Sequence, residues 1–412
     1  MSSLLHLAVK NIMRHKRRSL LTAAMICAGA AAAILAQSYG QSAAASLSRS
    51  IVETFTGDIQ IRAATKKKID VLTSFGDVPP VLTRVSGIRS RLRANPAILA
   101  TAPRLTFQGM LAGDERSDRA EVAAIEPAAD RLVHPRLRIV SGTYLLSEDG
   151  LLLSEKIAKS LRAKVGQEFV LMAAGPDGYI NAVNLRVQGI VASDLESFIG
   201  QVAYMDIRAA RRLLYLPEDS AWQIDVLLRR DVQARQAAAA CSRDLAAAGY
   251  DLRVDYWRDV AGIMSGIVAI DTFMPRAALA VILIVVCVGI INTVLMSVLE
   301  RTREIGVMMA LGTKGRQVLW LFLAEAGLIG LAASCLGGLI AGGIILYYAK
   351  TGIPVAAEAM KYSIGGDRLY LVFDWAGTAL AVVGIVLMSI AAAFIPAREI
   401  ARLKPVEALR YN

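Results

Sequence analysis

Residues capable of covalent chemistry are few and scattered in this 412-residue chain. The three histidines, His6, His15 and His134, stand far apart, and Cys27, Cys241, Cys287 and Cys335 show no metal-site spacing. Three of those cysteines lie inside long apolar runs, so the set reads as small buried hydrophobes rather than a disulfide framework. No GxxxxGK[ST] phosphate loop, nucleophile elbow or zinc motif occurs. The sequence predicts no catalytic residue and no metal or cofactor held by this chain. The chemistry that spacing does suggest is recognition, in the stretch ERTREIGVMMALGTKGRQV, residues 300–318. Glu300 with Arg303, and Arg301 with Glu304, are opposite charges three apart, which stabilise a helix by a few tenths of a kcal/mol per pair. Ile305, Met308 and Met309 give an apolar stripe, and Gly312, after Leu311, suits a helix C-terminus. A solvated turn accounts for the arginines but not for the methionine-rich stripe or the two glutamates. A short amphipathic helix docking on a partner accounts for all three.

The elements that must hold this stretch are apolar. Hydrophobic residues make up 55% of the chain, the net charge is +11, and the mean hydropathy is +0.48. Four runs, Ser19–Tyr39, Ala277–Leu299, Val318–Tyr348 and Ala376–Ile395, supply the roughly 20 residues that cross a hydrocarbon core of about 30 Å. Lys10, Arg14, Lys16, Arg17 and Arg18 precede the first run; Arg301, Arg303, Lys314 and Arg316 lie between the second and third; Arg398, Arg402, Lys404 and Arg410 follow the fourth. Positive residues mark the cytoplasmic side, so both termini and 300–316 are expected inside, with 41–272 and 349–375 outside. A cleaved signal peptide is the alternative for the N-terminus, but the basic segment and the apolar run are both long for one. The RHKRR run before the first helix reads as an anionic-lipid contact rather than a nucleic-acid site. Residues 1–18 are expected to lie on the inner leaflet as an amphipathic helix, with His6, Lys10 and Arg14 opposite Leu4, Ala8 and Ile12. Two polar side chains interrupt the spans. Glu325 is expected to bond a neighbouring helix or Arg316, with a transport role as the alternative, and Asn292 to act as interhelical glue. Gly330, Ser334, Gly338 and Gly342 form a ladder of small residues for close helix contact.

The fold class that follows is a membrane α-helical protein with an α/β ectodomain. Four transmembrane helices (19–40, 273–299, 317–348 and 376–395) carry a large external domain at 41–272, periplasmic if the cell has an outer membrane, inserted between the first and second. The docking segment is 300–316, an external loop spans 349–375, and a tail spans 396–412. Within the domain, alternation predicts strands at 57–63 (Ile59 and Ile61 on one face), 184–191 (Leu185 and Val187) and 223–229 (Ile224, Val226 and Leu228). Helices are expected at 154–164, closed by Gly166; from an N-cap at Asp206; and at 231–248, ended by Gly249. AAGPDGYIN, residues 173–181, reads as a turn between two strands. From Trp257 a helical pattern runs through Pro275 into the second span.

INTVLMSVLERTREIGVMMALGTKGRQVLWLFLAEAGLIGLAASCLGGL resembles the membrane core of FtsX-like permeases of MacB-type ABC transporters, as do LAVKNIMRHKRRSLLTAAMI and FIPAREIARLKPVEALR at the two ends. The resemblance implies a coupling helix at Glu300–Gly312 seated in a groove of an ATPase, with Arg301, Arg303, Glu304, Ile305 and Gly306 matching its signature. TGDIQIRA, VAYMDIRAARRLL and DLRVDYWRDV look like the ectodomains of the LolC/LolE lipoprotein-releasing permeases. That likeness implies a porter-like subdomain with a second subdomain inserted at about 136–199. It also implies a carrier-recruiting hairpin, here Gly175, Pro176 and Tyr179, for which an ordinary turn is the alternative. The implied partners are a cytosolic ABC ATPase dimer that binds ATP and Mg, a second permease copy or homologue, and a periplasmic carrier or adaptor. Membrane lipids and a lipoprotein or other amphiphilic cargo complete the set, and no nucleic acid is implied. The implied location is a bacterial inner membrane. An apolar route for cargo from the bilayer is expected between the first helix (Ile26, Ala30, Ala33 and Ile34) and the second (Met274, Ala278 and Ile282). MacB-like efflux of peptides or drugs and FtsX-like mechanotransmission to a periplasmic partner are the alternative functions.

Overall fold

The computed structural model describes residues 10, 13–14, 16–64, 80–192, 202–230, 232–356 and 364–401. The expected N-terminal amphipathic helix, apart from isolated residues, and the tail after residue 401 lie outside the described residues. The chain divides into a membrane unit (1–44, 270–354 and 368–412) and an α/β unit (45–269 and 355–367).

The membrane unit is built on four helices, Lys16–Ile51, Gly262–Glu300, Gly315–Thr351 and Trp375–Ala401, each long and apolar enough to span a bilayer. The first three have 36, 39 and 37 residues. At about 1.5 Å per residue they outrun a core of about 30 Å, so they extend beyond the apolar runs. Past Tyr39 the first helix stays intact because Ser42, Ala43, Ala44, Leu47 and Ile51 remain buried. Ile26, Ala30, Val286, Ile290, Ala333 and Ile385 form the common core of the bundle. Glycines set its closest approaches. A Cβ at Gly337 would lie 2.5 Å from the Cys27 carbonyl oxygen, and one at Gly330 would lie 2.8 Å from the Ser389 hydroxyl. Of the third helix, Gly337 rather than the Gly338 of the expected ladder makes the closer contact with the first helix. Pro275 stands inside the second helix and removes one donor; Gly40 faces its ring, where a Cβ would overlap it. At the same level Ser38 donates to the Val372 carbonyl (2.9 Å), Val372 N–H donates to Ser42 (2.9 Å) and Gln41 donates to Asp374 (2.8 Å). The first helix is thereby clasped to the segment leading into the fourth.

The α/β unit holds β1 (Ile59–Ala63), β2 (Leu82–Thr83), α1 (Val85–Arg93), β3 (Ile98–Ala112), β4 (Ser117–Ile125), α2 (Pro127–Val133) and β5 (Arg138–Gly142). It continues through β6 (Gly150–Ser154), α3 (Glu155–Leu161), β7 (Glu168–Ala174), β8 (Ile180–Ala192), β9 (Val202–Asp206) and α4 (Ile207–Leu213). β10 (Ser220–Ala221), β11 (Gln223–Leu228), α5 (Ala234–Ala247), β12 (Leu252–Tyr256) and α6 (Trp257–Val260) complete it. Ten strands form one sheet in the order β12-β1-β11-β3-β4-β9-β6-β8-β5, with β7 bridging β3 and β8. The expected inward residues Ile59, Ile61, Ile224, Val226 and Leu228 join α1 and α5 in one core. Leu185 and Val187 join α3, α4 and the middle strands in another. The region 136–199 is not set off from the rest, because β6 pairs with β9 and β7 with β3 inside the same sheet.

Two helix ends differ from the sequence expectation. α3 stops at Leu161 with Arg162 in the left-handed region (φ 53°), while Gly166 (φ 92°) turns the chain into β7. α5 begins at Ala234 rather than at residue 231. Asp206 caps α4 as expected, its carboxylate accepting from Arg208 N–H at 2.8 Å. Ala261 alone separates α6 from the second membrane helix, which starts at Gly262, so the helical pattern from Trp257 is broken once before Pro275.

Candidate functional site

The second membrane helix ends at Glu300, Arg301 leaves helical geometry (φ −102°, ψ 5°), and a short helix follows at Thr302–Ala310. Gly312 (φ 100°) closes it: its N–H bonds Met309 O (3.1 Å) and that of Thr313 bonds Met308 O (3.0 Å). This pair of reversed bonds is the Schellman end, which a residue with a Cβ adopts only under strain. Gln317 accepts from Lys314 N–H at 3.0 Å and starts the third membrane helix. The short helix is therefore fixed at both ends.

Its faces are unequal. Ile305 is 2% exposed and contacts Val318, Phe322 and Ala397 of the third and fourth helices. Arg301, Thr302 and Gly306 are buried beside it, and Met308 and Met309 are half-buried. Glu300, Glu304, Val307, Ala310, Leu311 and Gly312 face outward, with Val307 46% and Leu311 84% exposed. The sequence set for docking thus needs correction. Arg301, Ile305 and Gly306 face the bundle, while Val307, absent from that set, shares the outer stripe with Glu304 and Leu311. The Arg303 side chain lies outside the described residues. Arg301 pairs with Glu325 at 3.4 Å rather than with Glu304, and Glu304 pairs with Arg14 at 3.5 Å. Glu325 accordingly finds its partner in Arg301, not Arg316.

The expected cargo route is also corrected. Ile26, Ala30, Ala33 and Ile34 are buried, because the small residues of the first helix let its neighbours close in rather than leaving an open apolar wall. Ile282 is half-buried, and Met274 and Ala278 are exposed. A Cβ at Gly29 would meet Val286 at 2.5 Å, so the first and second helices are in close contact at that level. Asn292 is exposed on the outside of the bundle, not turned to another helix of this chain. In the α/β unit, Gly175 N–H bonds Tyr179 O (2.9 Å) and Gly178 N–H bonds Gly175 O (3.0 Å). The turn around Pro176 is tight and leaves Tyr179 75% exposed at its tip.

A buried charge cluster escaped sequence reasoning. Arg104 on β3 meets Asp130 (2.7 Å) and Asp225 (3.8 Å), and His134 lies 2.9 Å from Asp130 and 3.6 Å from Asp225. Gln60 and Gln223 donate to Asp225. Burial pushes carboxyl pKa values up, but for Asp130 the Arg104 and His134 charges outweigh it and hold the pKa at about 2. For Asp225 burial wins and the pKa is raised. Burial opposes the charge on Arg104, yet the two carboxylates raise its pKa. Arg104 also donates to the carbonyl of Phe55 (3.4 Å), and Arg136 pairs with Glu53 (2.7 Å). Glu53 and Phe55 belong to a π-helical turn, Val52–Thr56, that extends the first long helix. Two arginines therefore bolt that turn to the domain. A lone Arg in a strand carries no sequence signal until its partners from α2 and β11 are known.

Four membrane helices, an α/β domain set between the first and second in the chain, and an exposed short helix between the second and third define a membrane protein with a large inserted domain. Residues 19–243 match the MacB-like periplasmic core domain and residues 276–405 the FtsX-like permease C-terminal region. With more than half of its length matched by the first, the chain belongs to the MacB-type, FtsX-like permeases of ABC transporters. It is 24% identical to the macrolide export ATP-binding/permease protein MacB of Pasteurella multocida, over 98% of this chain and 59% of that protein. It thus spans less than two thirds of that relative. It is 22% identical to the lipoprotein-releasing system transmembrane protein LolE of Haemophilus influenzae, over 82% of this chain and 84% of that one. The identity is 24% to the uncharacterized ABC transporter permease YknZ of Bacillus subtilis, over 99% and 98%.

Proposed function

We propose that this chain receives ATP-driven motion from a separate cytosolic ABC ATPase at the short helix and passes it to an α/β domain on the periplasmic side of a bacterial inner membrane. The observation that carries this reading is the stripe Glu304, Val307 and Leu311, held outward on a helix whose opposite face is locked by Ile305. An apolar helix face presented between fixed ends suits a groove on a partner. ATP and Mg belong to that partner. The Lys/Arg distribution supports the orientation. A second permease copy or homologue is supported by the second helix, which exposes Phe273, Val281, Ile284, Val288 and, among them, the polar Asn292. An amide facing lipid is costly unless another subunit bonds it.

The cargo proposed is a lipoprotein, an amphiphile drawn from the outer leaflet and passed to a carrier at the Tyr179 turn. Similarity to LolE supports it. Export of peptides or drugs through a periplasmic adaptor is the second reading, supported by the MacB match over 98% of the chain. Photo-crosslinkers at the exposed positions 274 and 278 in native membranes test the cargo. Lipoprotein adducts are expected, and adducts confined to bulk lipid or the second copy overturn that reading. Cysteines at exposed positions 146 and 310 test orientation: only 146 is expected to label from outside intact cells, and labelling at 310 refutes it.

A further inference from the structure

Arg301 stands at the joint between the second membrane helix and the short helix, with its side chain only 8% exposed. Its Nη1 lies 3.4 Å from Oε2 of Glu325, a carboxylate 12% exposed on the third membrane helix. Glu325 also lines a cavity of about 40 Å³ with Ser19 and Thr22 of the first helix, Thr293 of the second and Ser389 of the fourth. The Thr293 and Ser389 hydroxyls donate to the Gly289 and Ile385 carbonyls, each at 2.8 Å, which leaves their lone pairs free to accept. A water takes about 30 Å³ in the liquid, so the space suits about one water beside these polar groups. The ion pair is longer than the roughly 2.7–2.9 Å of a tight charge-assisted bond, and Arg301 Nε is buried without a protein partner.

We propose that Arg301 and Glu325 are positioning residues, a hydrated ion pair that sets the angle of the short helix against the third membrane helix and so carries its displacement into the bundle. This rests on reading the short helix as the ATPase dock. The contacts of Ile305 with Val318, Phe322 and Ala397 are non-directional and let the helix roll, whereas a guanidinium and a carboxylate fix direction. Water beside the pair gives it room to lengthen without leaving either charge dry, a state that costs heavily inside a membrane.

The test uses the full chain without ATPase, with Cys27, Cys241, Cys287 and Cys335 replaced by alanine and spin labels at positions 311 and 331. Both positions are exposed. Pulsed distance measurements on the parent should give one narrow distribution. In Arg301→Met/Glu325→Leu, which substitutes apolar groups of similar volume, the width is expected to rise at least twofold with the melting temperature little changed. The reversed pair Arg301→Glu/Glu325→Arg should narrow it again, and Glu325→Gln alone should broaden it partly. An unchanged width in Glu325→Gln and in the apolar double variant overturns the proposal, as does broadening that the reversed pair fails to narrow. If the apolar double variant does not fold, Glu325→Gln decides by the same widths. Failure of the dock reading would show instead as parent-like ATPase affinity in Leu311→Asp, with these widths unaffected.

Discussion

Replacing Leu311 with aspartate should separate docking from folding. Leu311 is 84% exposed, and surface changes of that kind shift stability by no more than about 0.5 kcal/mol, so the permease should melt as the parent does. If the leucine is covered by the ATPase, its burial is worth about 1.5–3 kcal/mol. At about 1.4 kcal/mol per tenfold, affinity should fall about 10- to 150-fold. Ile305 is the control on the opposite face. At 2% exposure against Val318, Phe322 and Ala397, truncation to alanine should cost about 2–5 kcal/mol of stability. Titrating purified ATPase onto detergent-solubilised variants, with melting curves on the same samples, gives both quantities. Parent-like affinity in Leu311→Asp would refute the outward stripe as the dock. So would an Ile305→Ala variant of parent stability whose affinity alone is lost.

Other expectations follow from the α/β unit and the bundle. Arg104→Met leaves Asp130 and Asp225 buried without their cation and should destabilise the domain by about 3–5 kcal/mol; melting within 1 °C or so of the parent would contradict this. Burial raises the Glu121 carboxyl to about 7, and its Oε2 has no protein partner. The folded state thus keeps a proton that the unfolded chain releases near its ordinary value, so this contribution is full at low pH and is lost as pH rises through 7. Discounted for partial exposure it is about 1 kcal/mol, and Glu121→Gln should raise the melting temperature at pH 8 by about 2–4 °C with most of that gain gone at pH 5. Equal gains at both pH values would refute the assignment.

The sequence carried some of this plainly. Four long apolar runs and the alternation in 59–63, 184–191 and 223–228 gave the spans and three strands, because each signal is local. β3 was not legible: Pro103, Arg104 and Gly109 interrupt its pattern, and what makes it a strand is its pairing with β11, β4 and β7. The short helix was legible in its existence and in its Gly312 end, but not in its rotation. The three-apart pairing of Arg301 with Glu304 presumes that both are helical, and Arg301 is not. Its side chain is therefore free to reach Glu325, 24 residues on. Ala30 and Ala33 in the first helix suit an apolar route for cargo, yet small side chains equally permit close helix contact, and composition alone does not choose between these outcomes.

The unbroken sheet has a consequence for how such a domain can change. The family resemblance implies a second subdomain inserted at about 136–199, but β6 is laced between β8 and β9, and β7 is laced to β3 and β8. Excising or exchanging the whole segment would strip hydrogen-bond partners from strands on both sides of the cut. The place that tolerates rewriting is the turn at 175–179, where the chain leaves β7 and re-enters at β8 with only two backbone bonds of its own. Sequence changes can accumulate there one loop at a time, and a grafting experiment should exchange that loop while leaving the strands on either side untouched.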